Sequence, residues 1–467
     1  RYPDQGVLYQ VIADNINTVY YELESKGKYI PSHVRKEFES YLACGIYCHG
    51  FTRLQCVGEC KQGFLLPFSC KCRGFCNSCI GRRMAQTSLN LTDYVLPNIQ
   101  YRQWVLSIPI VLRYVMARDS TILTKVQRVL VKAIRSYFRR QARKEGIRDA
   151  EIGVISVIQL FGGSVNLNPH FHLVVSDGFF YKNNKGVMTF KPLKPPVEGD
   201  IAHINKKIHK KVNAMLLKAG IIDEETNHYQ GELFTTDDAT TEAKAASIRR
   251  KISVGANRGG KVKQIGKFYD FGWHPPHGQL LNYHEGFSLH AGVSIKASDR
   301  KGLEQLISYT LRPPIPMDRL TYVGDDKNKI RFKLKRPYDD GTHSLEFTGV
   351  ELVEKLISII PKAKMNLVRY FGVFSANYKH RLQIVPGVKH KKKVVKGKIT
   401  NEYWIPWAEL LRRTFQLDVS ICTTCKGLVR VIAVIKDPKI IHRILGHLHL
   451  PTAPPSIAPA RSPPTLP

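Results

Sequence analysis

Acidic side chains are scarce in this chain: 38 Asp and Glu stand against 71 Lys and Arg over 467 residues, a formal net charge of +33. That deficit suits a partner made of phosphates, because cation–phosphate contacts release counterions and dominate nucleic-acid affinity. A ribosomal or membrane-surface protein is the plainer reading of the same charge. Long apolar runs are also missing. No stretch of about 18 or more apolar residues occurs, which excludes a helix that crosses a membrane. The opening RYPDQGVLYQ has neither a Met nor an apolar leader core; the native start is expected upstream, and a cytoplasmic location is expected. Between residues 80 and 421 there is no cysteine at all, so a disulfide framework spread through the fold is excluded.

What is present is uneven. Hydrophobic content is 43%, ordinary for a globular protein, and the length allows about three domains. Eight of the ten cysteines crowd between residues 44 and 79, and the other two are Cys422 and Cys425. Cys56 and Cys60 form a C-x₃-C pair, followed by the C-x₂-C pair Cys76 and Cys79. Paired thiolates at short spacing on two turns are what a tetrahedral Zn²⁺ site needs. Cys70 and Cys72, with Cys44, Cys48 and His49, offer a second site or alternative ligands. Arg73, Arg82 and Arg83 would let this zinc-binding segment contact DNA as well. Cys422-Thr-Thr-Cys425 reads as a lone knuckle.

The stretch QLFGGSVNLNPHFHLVVSDGFF, residues 159–180, carries His170-Phe171-His172 on a strand pattern. Side chains alternate faces along a strand, so the two imidazoles project together while Phe171, Leu173 and Val175 face a core. Two imidazoles on one face make half of a divalent metal site. A second His-x-His triplet, His447 and His449, follows a helical pattern where no strand holds it, and is read as structural. Ile152–Leu160 is a buried-strand candidate, and residues 286–295 form another strand whose polar face bears His290. Asp299 caps a helix that Pro313-Pro314 ends. Its buried stripe is Leu303, Leu306, Ile307 and Leu311; Gln305, Tyr309 and Arg312 lie opposite.

Elsewhere, residues 1–40 and 90–150 read as helical, the latter with a stripe of Lys125, Arg128, Lys132, Arg135, Arg139 and Arg140. Residues 180–270 read as a polar, turn-rich insertion. A basic strand with Arg331, Lys333 and Lys335 precedes a turn at Asp340-Gly341, a second strand and a helix at 350–360. KHKKKVVKGK, 389–398, reads as a cationic linker, 403–450 as a helix and hairpin, and the Pro-rich tail as disordered. These patterns divide the chain into 1–90 (helical and zinc-binding), 91–315 (core, with the insertion), 316–400 (basic α+β region and linker) and 401–467 (C-x₂-C segment and tail).

Taken together, NLNPHFHLVVSDGFF, FSCKCRGFCNSCIGRRM, SYTLRPP and LVRYFGVFSANYKHR resemble the bacterial rolling-circle insertion-sequence transposases, common-region elements included. The resemblance runs from about residue 40 to the end. It implies an α+β fold: a ferredoxin-like antiparallel-sheet HUH nuclease core behind an N-terminal zinc-binding domain. It also implies that His170 and His172 bind Mg²⁺ or Mn²⁺ and that Tyr309 is the nucleophile. Such enzymes nick one strand of single-stranded or hairpin DNA at element ends, keep the 5′ phosphate on tyrosine, and transfer it, with host replication or helicase factors as further partners. Two-tyrosine members carry a second Tyr four residues earlier. Gln305 stands there in this sequence, so it resembles the single-tyrosine variant. The third metal ligand is left among Gln159, Gln305 and His290, with Gln159 and His290 favoured because both are expected on strands of one sheet. A plasmid replication initiator and a non-catalytic zinc-containing DNA-binding protein are the other functions compatible with these residues.

Overall fold

In the computed structural model, residues 2–223, 238–268, 278–386, 394–395, 398–399, 421–422 and 424–461 are described. The cationic linker and the helix expected after residue 403 therefore lie largely outside the described residues. In chain order the elements are α1 (Val7–Glu24), α2 (Ser32–Leu42), β1 (Phe51–Cys56), β2 (Gly63–Pro67), α3 (Asn77–Asn90), β3 (Tyr101–Ser107), α4 (Ile110–Arg118) and α5 (Ser120–Lys144). Then come β4 (Gly153–Phe161), β5 (Leu167–Ser176), the hairpin β6 (Gly178–Lys182) and β7 (Met188–Pro192), α6 (Glu198–Lys218), α7 (Ala239–Ile248) and β8 (Lys263–Ile265). The last are β9 (Leu281–His284), β10 (Phe287–His290), β11 (Ser294–Ile295), α8 (Arg300–Leu311), β12 (Leu320–Val323), β13 (Asp326–Lys333), β14 (Ser344–Phe347), α9 (Gly349–Ile359), β15 (Val368–Gly372), β16 (Val429–Ile435) and α10 (Pro438–His447). The fold is α+β, with helices on antiparallel sheets.

The main sheet runs β15-β4-β5-β3-β10-β9, with β11 also on β3, and every pairing is antiparallel. One face carries Trp104, Leu106, Val154, Ile158, Phe171, Leu173 and Val175 into the large core, with Leu123, Val126, Leu130 and Ile134 of α5. The other face is covered by α8, whose Leu303 and Ile307 pack on Tyr101, Ile155 and Val174. Local signals set these elements. Asp119 caps α5 by accepting from Thr121 N, Asp299 caps α8 by accepting from Gly302 N, and Thr348 with Glu351 makes a capping box on α9.

Several expectations are corrected. Residues 90–150 are not uniformly helical, because β3 lies among them as a central strand of the main sheet. Its Arg102 and Gln103 are buried through partners: Arg102 donates to Asp177 at 3.0 and 2.7 Å and to Ala291 O at 3.0 Å. The region 180–270 is not merely turn-rich; α6 buries Ile201, Ile204, Ile208, Val212 and Leu216 against the core. Helix α1 buries Leu8, Ile12, Ile16 and Val19 in the same core cluster as Leu352, Val353 and Leu356 of α9. Strand β15, expected in a separate basic region, closes the main sheet beside β4. The Pro-rich tail is not wholly disordered. Asn17 donates to Ala458 O at 2.8 Å, and Arg461 reaches Asp14 O and Asn15 Oδ1 on α1.

Candidate functional site: a histidine pair, a tyrosine helix and two thiol clusters

Register places the candidate residues. On β5, His170 lies opposite Gln159 of β4, and His172 lies between Val157 of β4 and Val105 of β3. Directly paired residues share a face, so Gln159, His170, His172 and, two residues from Val105, Gln103 all look toward α8. The two rings converge: Nε2 of His170 is 3.0 Å from Nε2 of His172. Both are nearly buried, at 9% and 5% exposure. His170 Nδ1 donates to Asn168 O at 2.7 Å, which leaves the Nε2 lone pair free. Gln103 Nε2 donates to His172 Nδ1 at 3.0 Å, which as placed puts the His172 proton on Nε2. When that amide presents its oxygen, Nδ1 carries the proton and Nε2 is again the free lone pair.

Burial, with lesser contributions from nearby cations, pushes His170 down to about 4. Burial, then His170 and Arg312, pushes His172 down to about 3. Both imidazoles are therefore neutral at pH 7, the state a cation requires.

The helix α8 brings Tyr309 to this pair. Its ring centroid is 6.2 Å from that of His172, edge-on at 88°, and the residue is 43% exposed. Two cations flank the ring: Arg312 Cζ and Lys335 Nζ each lie 5.2 Å from its centroid. Lys335 is the outward basic residue just past β13, whose Ile330 and Phe332 are buried. Gln159 Nε2 donates to Thr310 O at 3.1 Å and pins the end of α8 to β4. The other two candidate ligands stand apart. His290 pairs with Val105, one strand beyond His172, and its Nε2 accepts from Gly292 N at 3.3 Å. Gln305 is exposed one turn before Tyr309. A cleft of about 300 Å³ opens beside the site, lined by Gln159, Phe161, Thr310, Arg312, Arg73 and Arg83. Gln103 and Lys335 were not singled out for the site in the sequence.

The cysteines form two tetrathiol clusters, and their partners differ from the sequence expectation. Cys44, Cys70, Cys76 and Cys79 form one; Cys56 and Cys60 join Cys422 and Cys425 in the other, not Cys76 and Cys79. In the first, Sγ–Sγ distances are 3.8 Å for Cys44–Cys76 and Cys44–Cys79 and 3.3 Å for Cys70–Cys79. Zn–S bonds of about 2.3 Å in a tetrahedron separate sulfurs by about 3.8 Å, so this set fits Zn²⁺. Backbone N–H groups of Cys70, Lys71 and Cys72 donate to the sulfurs of Cys44, Cys79 and Cys70. Hydrogen bonds from Cys44, Cys70 and Cys76 hold the Cys79 thiol well below the usual range. Cys72 instead donates to Glu37 O, and Cys48 is packed among apolar neighbours.

The proposed DNA-contacting arginines divide. Arg73 is committed to the fold, donating to Met365 O at 2.6 Å and Lys362 O at 3.3 Å. Arg331 pairs with Glu346 at 3.1 Å. Arg83 and Lys333 are exposed, and Arg82 is half-buried. On α5, Arg135 and Arg139 both bind Glu151.

Comparison with known families fits this geometry. Residues 153–381, which hold the histidine pair, Gln159 and Tyr309, match a family model described as a putative transposase. Residues 15–108 match one described as a transposase zinc-binding domain. The chain thus carries one region similar to a transposase domain and another similar to a transposase zinc-binding domain. The two matches together support a transposase of the IS91 rolling-circle type. No curated protein and no solved structure matches the chain. Among the described residues, no helix is long and apolar enough to cross a membrane.

Proposed function

We propose that the chain nicks one strand of DNA at the ends of an insertion element and rejoins it through a 5′-phosphotyrosine on Tyr309, in single-tyrosine fashion. The observation that carries this reading is the approach of a half-exposed tyrosine ring to within 6.2 Å of a neutral, buried imidazole pair. The Tyr309 Oη attacks phosphorus, the P–O3′ bond breaks, and the 3′ oxygen leaves as a hydroxyl after taking a proton. Rejoining reverses the exchange: a 3′ hydroxyl attacks the phosphotyrosine and the tyrosine hydroxyl is restored, so no nucleotide triphosphate is consumed.

The two Nε2 lone pairs, 3.0 Å apart, fit neighbouring positions around one octahedral divalent ion. Mg²⁺ or Mn²⁺ held there by His170 and His172 would polarise the scissile phosphate and offset its developing charge. Gln159, cross-strand neighbour of His170, is the third ligand in this reading, ahead of His290 and Gln305. Arg312 and Lys335, each 5.2 Å from the ring centroid, steady the negative charge on the tyrosine oxygen as it attacks. The antiparallel sheet, with His pair and tyrosine helix on one face, is the ferredoxin-like HUH core in this account. Arg82, Arg83 and Lys333, with the cleft beside the site, would guide single-stranded or hairpin DNA, while strand displacement falls to host replication factors at the nucleoid.

The test is a nicking assay on a labelled single-stranded oligonucleotide carrying an element end, with Mn²⁺. Site-specific nicking that is lost in Tyr309→Phe and in His170→Ala/His172→Ala, with DNA binding retained, supports the proposal. Nicking that persists in Tyr309→Phe, or binding without nicking in the unaltered chain, overturns it.

A further inference from the structure

The zinc-binding family match ends at residue 108, yet half of the second thiol cluster comes from residues 422 and 425. Its sulfurs are closely set: Cys56–Cys425 3.4 Å, Cys60–Cys422 3.5 Å and Cys60–Cys425 3.3 Å. Cys425 thus neighbours two thiols about equally. A disulfide joins its two sulfurs exclusively at about 2.05 Å, whereas a tetrahedral tetrathiolate brings four sulfurs to about 3.8 Å from one another.

The backbone is built for this meeting. Lys61 and Lys426, each directly after a cluster cysteine, have φ of 51° and 59°, and Lys71 after Cys70 in the first cluster has 57°. The three turns are alike. Cys422 N donates to Gly427 O at 2.7 Å, and Val57 N donates to Leu428 O at 2.8 Å. Gly58 and Gly427 let the two turns touch: a Cβ on Gly427 would lie 2.9 Å from Gly58 Cα and 3.2 Å from Cys56 Sγ. Only glycine fits at that distance.

The cluster also has something to hold. Strand β16 pairs with β1 along Phe51↔Ile435 to Cys56↔Val429, so it extends the β1–β2 hairpin into a three-stranded sheet. Helix α10 packs on the same hairpin, but among the described residues the fully buried core there is only Phe51, Ile441 and Leu445. Val431, Ile432 and Val434 of β16 are exposed. A core that small supplies little folding energy by itself, and small modules of this kind depend on metals or disulfides.

We propose that Cys56, Cys60, Cys422 and Cys425 bind a second structural Zn²⁺, which clasps β16 and α10 onto the β1–β2 hairpin and completes the zinc module from the far end of the chain. Each ligating thiol releases its proton to solvent on binding. This does not rest on the nicking reaction.

Full-length protein purified under reducing conditions is assayed for metal by elemental mass spectrometry, and by cobalt substitution, where thiolate-to-cobalt absorption reports sulfur ligation. The clasp predicts two zinc ions per chain, falling to one in Cys422→Ser/Cys425→Ser and to one in Cys76→Ser/Cys79→Ser. Amides of the β16–β1 ladder should exchange at least tenfold faster in Cys422→Ser/Cys425→Ser, with β3–β5 amides unchanged. Cys425→His, which keeps a ligand, should retain the second zinc and shift the cobalt spectrum. One zinc in the unaltered chain, two zinc ions in Cys422→Ser/Cys425→Ser, or intact-mass evidence of disulfides among these four residues would overturn the proposal.

Discussion

Gln103 gives a quantitative handle on the histidine pair. Its amide is the partner of His172 Nδ1 at 3.0 Å, and it is itself buried at 4% exposure. In Gln103→Ala the Nδ1–H that metal binding at Nε2 requires becomes a buried donor without that partner. Leaving such a group unsatisfied costs about 1–3 kcal/mol, which corresponds to roughly a 5- to 150-fold weaker hold on the ion. That range agrees with the roughly 10- to 100-fold losses seen when a ligand histidine loses its supporting hydrogen bond. The assay is the Mn²⁺ concentration giving half-maximal nicking under single-turnover conditions. Gln103→Ala should need at least tenfold more Mn²⁺, with DNA affinity unchanged. Gln103→Glu, whose carboxylate accepts from Nδ1–H, should need no more than the unaltered chain. A half-saturating Mn²⁺ within twofold of the original in Gln103→Ala would refute this reasoning.

Three further outcomes follow from the same structure. Arg102→Met leaves the Asp177 carboxylate buried without its two-pronged partner and should cost about 3–5 kcal/mol of stability in urea unfolding, with Arg102→Met/Asp177→Leu regaining much of it. His170 and His172 titrate in the fold at about 4 and 3, below their ordinary 6.5. As pH falls, the unfolded chain takes up these protons first, so stability is intact above pH 6.5 and declines toward pH 4. At pH 5.5 the loss is about 1.4 kcal/mol per histidine; without added divalent ion, the pH-dependent fall in the urea midpoint should shrink in His170→Asn/His172→Asn. Lys335→Ala and Arg312→Ala each remove a cation 5.2 Å from the Tyr309 ring. Each should slow single-turnover nicking by about 10- to 1000-fold, while a gel-shift affinity changes severalfold at most.

Much of the architecture could be read from local pattern. The alternation through His170-Phe171-His172 gave the face of each residue, because β5 is flanked on both sides and its apolar set must meet one core. The cap at Asp299 marked α8 for the same reason that any helix start must satisfy its free N–H groups. What escaped was decided by tertiary partners. Strand β3 carries no alternation of apolar and polar types, since Arg102 is neutralised by Asp177 and Gln103 is satisfied by His172. Its polar residues are buried, and pattern alone assigns them to a surface. The thiol ligand sets likewise follow contact and not spacing: Cys56 lies nearer in sequence to Cys76 than to Cys425, 369 residues on, yet the pairing of β1 with β16 brings in the latter. Lys335 at Tyr309 is of the same kind, a charged residue whose role appears only once β13 is set beside α8.

The central claim, that Tyr309 takes the DNA 5′ phosphate, is tested most directly by mapping the covalent product. Full-length protein is incubated with an element-end oligonucleotide and Mn²⁺, digested with protease and nuclease, and sequenced by tandem mass spectrometry. The account predicts one peptide from α8 carrying a phosphonucleotide on Tyr309, absent when Mn²⁺ is omitted. A phosphonucleotide on any other residue, or nicked DNA with no modified peptide, would contradict it.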